Sequence, residues 1–143
     1  MPKSVSVYER KGIVYVVASH QTQAGFWVGD DEILVLATPQ PSELETAVEA
    51  ALARSRDGVP TPPPSADLSA PLLAAAGVAN WNTFAKMSKY VSIRQNGEVI
   101  KVTPFRNLGG KDGFAPMQDR ATILPSGDMG LAATVVSALD MAE

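Results

Sequence analysis

Cysteine is absent from these 143 residues, and histidine occurs once, as His20. The first absence excludes a disulfide framework, thiolate–zinc and iron–sulfur sites, and a cysteine nucleophile. The second excludes a self-contained multi-histidine metal site. Aromatic residues are only 6% of the chain and charged residues only 19%. Long apolar runs are missing: none approaches the length that crosses a bilayer. The opening Met-Pro-Lys-Ser leads into the polar patch Tyr8-Glu-Arg-Lys11 with no apolar signal segment. The expectation is a soluble protein that stays in the cytoplasm, with no membrane partner. A basic surplus is also lacking. The net charge is -3, which argues against nucleic acid as the main partner. What is present is a 45% hydrophobic content, enough to build a core and to exclude wholesale disorder. The length suits one compact domain over residues 1–143.

The charge is unevenly laid out. From Gln21 to Ala53 there are six acids, Asp30, Asp31, Glu32, Glu43, Glu45 and Glu49, with no lysine or arginine among them. From Lys86 to Lys111 there are six bases, Lys86, Lys89, Arg94, Lys101, Arg106 and Lys111, opposed only by Glu98. Such a dipolar layout can present one charged face to a partner; each run also suits a simply solvated face.

Ser4-Val-Ser-Val-Tyr-Glu9 alternates with the period of a half-buried strand, and Ile13-Val-Tyr-Val-Val17 is a more deeply buried one. With Lys11-Gly12 as the turn, the two form an antiparallel hairpin. Gly25–Val28 predicts a short third strand, Gly29-Asp-Asp31 a turn, and Glu32–Ala37 a continuous apolar fourth strand of the kind found at sheet centres. Ser42 and Glu45 have capping-box spacing, and Leu44, Val48, Ala51 and Leu52 recur at helical spacing, so a helix is expected from Ser42 to Arg56. The run 59–66 holds four prolines in five positions, an extended crossover. Short helices follow at Asp67–Ala76, stopped by Gly77, and at Asn80–Lys86, where Trp81 and Phe84 share a face. Tyr90–Arg94 and Val99–Thr103 predict a second hairpin turning at Asn96-Gly97, with Pro104 ending it. Arg106–Phe114 is glycine-rich but opens no helix, so it reads as a surface loop and not a phosphate cradle. Thr122–Leu124 is a last strand. Ser126 or Asp128 caps a final helix through Leu131, Val135, Val136 and Leu139. Strands and helices do not alternate strictly. The fold class is therefore α+β, a single domain with a mostly antiparallel sheet and helices packed against it.

Chemistry-bearing patterns are scarce. His20 with Asp30 or Asp31, and Ser19 beside it, could be written as a catalytic set for a small hydrolase or ligand-binding domain. No nucleophile elbow or positioned oxyanion donor supports it, and a hydrogen-bonded strand-end histidine is the better reading. Asp30-Asp31-Glu32 lacks calcium-loop spacing and reads as a turn with solvated acids. Trp27 and Trp81 read as core residues. No catalytic residue, metal or cofactor is expected, and a binding module fits better than an enzyme.

The second half carries a resemblance. Gly77–Ile93, with Trp81 in a short helix, then Asn96-Gly-Glu-Val-Ile-Lys-Val-Thr-Pro104, Gly113–Pro116 and Gly130–Leu139, resembles the core and closing helix of immunity proteins of contact-dependent growth inhibition systems (CdiI), in the branch that neutralises ribonuclease-type toxins. The resemblance covers Gly77 to Leu139 and rests on packing motifs. It implies a one-to-one complex with the C-terminal toxin domain of the cognate CdiA exoprotein, a ribonuclease or tRNase. It carries over no catalytic and no binding residue. A nuclease that grips RNA phosphates needs a basic cleft, and an inhibitor gains rate and specificity from a matching acidic patch. The toxin-binding candidates are therefore Asp30, Asp31, Glu32, Glu43, Glu45 and Glu49.

Overall fold

The computed structural model describes residues 2–109, 112–127 and 130–143. Lys111 of the basic run and Asp128, one of the two helix-cap candidates, lie outside them. β1 (Pro2–Arg10) and β2 (Ile13–Gln21) form the expected antiparallel hairpin. Lys11 and Gly12 turn it with φ of 54° and 79°, the paired positive angles whose twist suits a two-residue hairpin.

The expected third and fourth strands are one strand, β3 (Trp27–Ala37). Gly29-Asp30-Asp31 is not a turn. Ser19 pairs with Gly29 and Val17 with Ile33, so Asp30, Asp31 and Glu32 bulge out opposite the single residue Ala18. The polar insertion disturbs the ladder without reversing the chain. β3 is also the outer strand and not a central one. The strand buried throughout is β2, from Val14 to His20.

α1 (Pro41–Arg54) starts two residues earlier than Ser42/Glu45 capping requires. Gln40 is its N-cap, and the Glu43 carboxylate accepts from the Gln40 amide at 3.0 Å. Proline at the first helical position, needing no hydrogen-bond donor, explains the earlier start. The helix ends at Arg54, with Ser55 as its C-cap, short of the expected Arg56. The proline-rich crossover carries no helix or strand beyond a parallel bridge between Val59 and Thr22. α2 (Ala70–Ala76) ends on Gly77 at φ 69°, and α3 (Trp81–Lys86) is capped by the Asn80 side chain on the Thr83 amide.

β4 (Ser88–Asn96) and β5 (Val99–Asn107) form the second hairpin. Asn96 pairs with Val99, so the turn is Gly97-Glu98, and the positive φ falls on Gly97 (65°) but not on Asn96. Pro104 does not end β5. β7 (Thr122–Pro125) pairs with β5 from Val99 to Val102, and β6 (Phe114–Pro116) from Phe105 to Asn107. Pro104 falls between these two partners, where its missing N–H leaves no ladder bond unmade. α4 (Leu131–Met141) has Gly130 as its N-cap and no capping side chain. Ser126 instead accepts a hydrogen bond from Gln95 Nε2.

Among the described residues the sheet runs β3-β2-β1-β4-β5-β6, with β7 also on β5 and every pairing antiparallel. The α+β expectation holds. Alternation sorts the strand residues onto two faces. Val5, Val7, Val14, Val16, Ala18, Val91, Ile93, Ile100 and Val102 face α1 and α4, forming the main core with Leu44, Val48, Leu131 and Val135. On the other face Tyr15, Val17 and Phe84 are buried with Leu72 and Leu73 of α2. These two short helices cover only part of that face.

Candidate functional site

The six acids do not form one patch. Asp30, Asp31 and Glu32 sit on the β3 bulge. Arg54, one residue beyond the acidic stretch, reaches back from the end of α1 to bind two of them. Its Nε donates to Asp30 Oδ2 at 2.8 Å, and its Nη1 lies 3.2 Å from Glu32 Oε2. Burial pushes the Asp30 carboxyl up, but the hydrogen bond and charge of Arg54 outweigh it and hold it below the ordinary carboxylate range. Glu43 is engaged at the helix start. Glu45 and Glu49, one turn apart, leave the β3 side of α1; Glu49 lines a shallow cavity with Lys3 and Leu131. Asp31 and Glu49 are exposed, and Glu45 is half-buried.

His20 is in the interior of the sheet, 6% exposed, with β1 and β3 on either side of β2. Its Nδ1 accepts from the Arg56 amide at 3.1 Å, which places the proton of the neutral ring on Nε2. Nε2 lies 3.6 Å from Asp30 Oδ1, beyond hydrogen-bond reach. Ser19 alternates to the face opposite His20 and lines a cavity there with Asp30, so its hydroxyl does not meet the imidazole. Ser55, whose hydroxyl donates to the Ser19 carbonyl and accepts from the Ser4 amide, makes the same connection beside it. His20 thus helps clip the end of α1 to the sheet. No group of three or more metal-ligating side chains occurs among the described residues.

One concave feature lies on the half-covered sheet face. A cavity of about 370 Å³ is lined by Ser4, Ser6, Trp27, Trp81, Tyr90 and Arg94, with Asp30 at its β3 end. A second, of about 280 Å³, shares Tyr90 and Arg94 and continues to Lys101 and Gln118. The floor is set by strand register: Ser6, Ser92 and Thr103 align across β1, β4 and β5, as do Ser4, Arg94 and Lys101. A band of rings, Tyr8 stacked on Tyr90 at 4.8 Å and Tyr90 against Phe105 at 4.5 Å, bounds it. Trp27 is not a core residue: it is half-buried, with the Arg94 guanidinium 5.1 Å from its ring centre. Trp81 is half-buried too, its ring 5.6 Å from that of Phe84. The groove was missed in the sequence, although a signal exists. Ser4-Val-Ser-Val-Tyr8, Tyr90-Val-Ser-Ile-Arg94 and Lys101-Val-Thr103 put small hydroxyls where an ordinary solvated face carries charges.

No family model and no curated protein matches the chain. Among solved structures, a Neisseria meningitidis protein of unknown function superposes with a TM-score of 0.80 and 17% identity, covering 100% of this chain and 96% of that one. A chain of the CdiA-CT/CdiI toxin and immunity complex from Yersinia pseudotuberculosis superposes with a TM-score of 0.77, also at 17% identity, covering 100% of this chain and 98% of that one. What is shared is the fold. It extends over the whole chain, well beyond the Gly77–Leu139 stretch that carries the sequence resemblance, and so includes the β1–β2 hairpin and α1.

Proposed function

We propose that this chain is the immunity partner of a toxin–immunity pair: a non-enzymatic cytoplasmic protein that binds, one to one, the C-terminal nuclease toxin domain of a contact-dependent growth inhibition exoprotein. The toxin class is a ribonuclease or tRNase with a basic cleft. The observation that carries the reading is the full-length fold likeness to a chain of a toxin and immunity complex. The acids supply long-range attraction, which raises association rates and is screened beyond about 8–10 Å at physiological salt. They contribute unequally. Asp30, Glu32 and Glu43 are bound within the molecule, so the steering falls to Asp31, Glu45 and Glu49.

The test is binding to the toxin domain encoded beside this chain's gene. We expect a one-to-one complex and protection of cells expressing the toxin. With Asp31, Glu45 and Glu49 reversed to lysine, the low-salt on-rate should fall about tenfold or more while the off-rate changes less, and the difference should shrink at high salt. An unchanged on-rate at low salt would remove the acidic steering. Absence of any complex would overturn the immunity reading itself.

A further inference from the structure

We propose that the groove on the half-covered sheet face is a binding site for a small ring-bearing oxyanion, its phosphate or carboxylate held between Arg94 and Lys101. The register places Arg94 on β4 directly opposite Lys101 on β5. Like charges so placed repel, and an anion between them removes the penalty. Among the described residues neither cation has a carboxylate partner. Arg94 rests on the Trp27 ring, and Lys101 Nζ donates to the amide oxygen Gln118 Oε1 at 2.6 Å. The Asp30 carboxylate lies at the β3 end of the groove and is already bound by Arg54. The groove therefore has a polarity, with free positive charge at its β4–β5 end.

The donors suit an oxyanion. Arg94 offers a planar fork for two oxygens and Lys101 a point charge. Ser92 and Thr103, 8% and 6% exposed, add hydroxyls in the adjoining row. Sheet amides are used up by strand pairing, so recognition must come from side chains. The two cavities, sharing Tyr90 and Arg94, have the size of a small-ligand site. Trp27 and Trp81 line the part away from Lys101, and there a ring finds apolar walls. Leu68 and Leu72 on one side and Pro116 and Gln118 on the other bound the space, which favours a compact ligand over a polymer. The proposal is independent of the toxin partner and does not require it.

Both tryptophans line the groove, so their fluorescence in the intact chain reports occupancy. The probes are AMP and GMP for a phosphate, 4-hydroxyphenylacetate for a carboxylate, and adenosine and inorganic phosphate as the separated halves. We expect saturable quenching by at least one ring-bearing anion, with both halves weaker by about tenfold. The chemistry of that anion identifies the source. Arg94→Gln should weaken binding about tenfold and Lys101→Gln severalfold, with Arg94→Lys recovering part of the loss. Arg94 is exposed, and unchanged circular dichroism establishes that its variants fold. No saturable response at millimolar probe, equal response in wild type and Arg94→Gln, or binding of a single-stranded hexanucleotide without any mononucleotide would each overturn the proposal.

Discussion

Arg54 decides how the acidic stretch behaves, and it lies one residue past the end of that stretch. Counting charges along the chain from Gln21 to Ala53 leaves six acids uncompensated, yet the helix brings a guanidinium onto the β3 bulge. Replacing Arg54 with methionine should lower stability slightly near neutral pH, as the loss of a largely exposed, solvent-screened ion pair does. The folded Asp30 carboxyl lies below its unfolded value of about 3.9, so the pairing contributes fully above that pH and is lost as pH falls through the folded value. Thermal melts of wild type and Arg54→Met should accordingly differ near neutrality and converge as the pH falls through the lowered folded value of Asp30. His20 was legible as hydrogen-bonded, but as an edge residue and not at its depth inside the sheet, because its acceptor role depends on the Arg56 amide far along the chain. His20→Ala should leave toxin protection intact and cost about 1–2 kcal/mol by stranding that amide. Protection lost from a variant that still folds, or a hydrolytic activity abolished by it, would instead place His20 in the function.

Elements whose cause is local were readable; those whose cause is a distant neighbour were not. The two hairpins depend on two residues each, and both were anticipated, though at the second the strained angle belongs to Gly97 alone. A Cβ at Gly97 meets nothing within 4 Å, so Gly97→Val isolates the conformational cost. A loss of about 1–2 kcal/mol is expected in urea denaturation, and no loss would mean that the turn tolerates a negative φ. The bulge on β3, the survival of β5 past Pro104 and the outer position of an apolar strand are all set by pairing partners. α3 illustrates the mixture. Its Asn80 cap and its Trp81–Phe84 face are written in seven residues, whereas the burial of Phe84 against Tyr8 and Tyr15 needs the distant first hairpin in place. Phe84→Ala should cost about 3–5 kcal/mol, measured the same way.

At the scale of the molecule, the α+β class followed from element order, but the strand order did not. The groove depends on that order, since its floor exists only where β1 lies beside β4. The same adjacency has a consequence in time. Pro2 pairs with Asn96 and Arg10 with Ser88, so the middle of the sheet closes a loop of nearly the first hundred residues. During synthesis the first hairpin and α1 can form early, but β1 keeps one bare edge until β4 has left the ribosome. Topologies rich in such distant pairings fold over milliseconds to seconds. A chain stopped before Ser88 should stay loosely packed and protease-sensitive however well its first hairpin forms, and stopped-flow refolding of the full chain should show the slow closure.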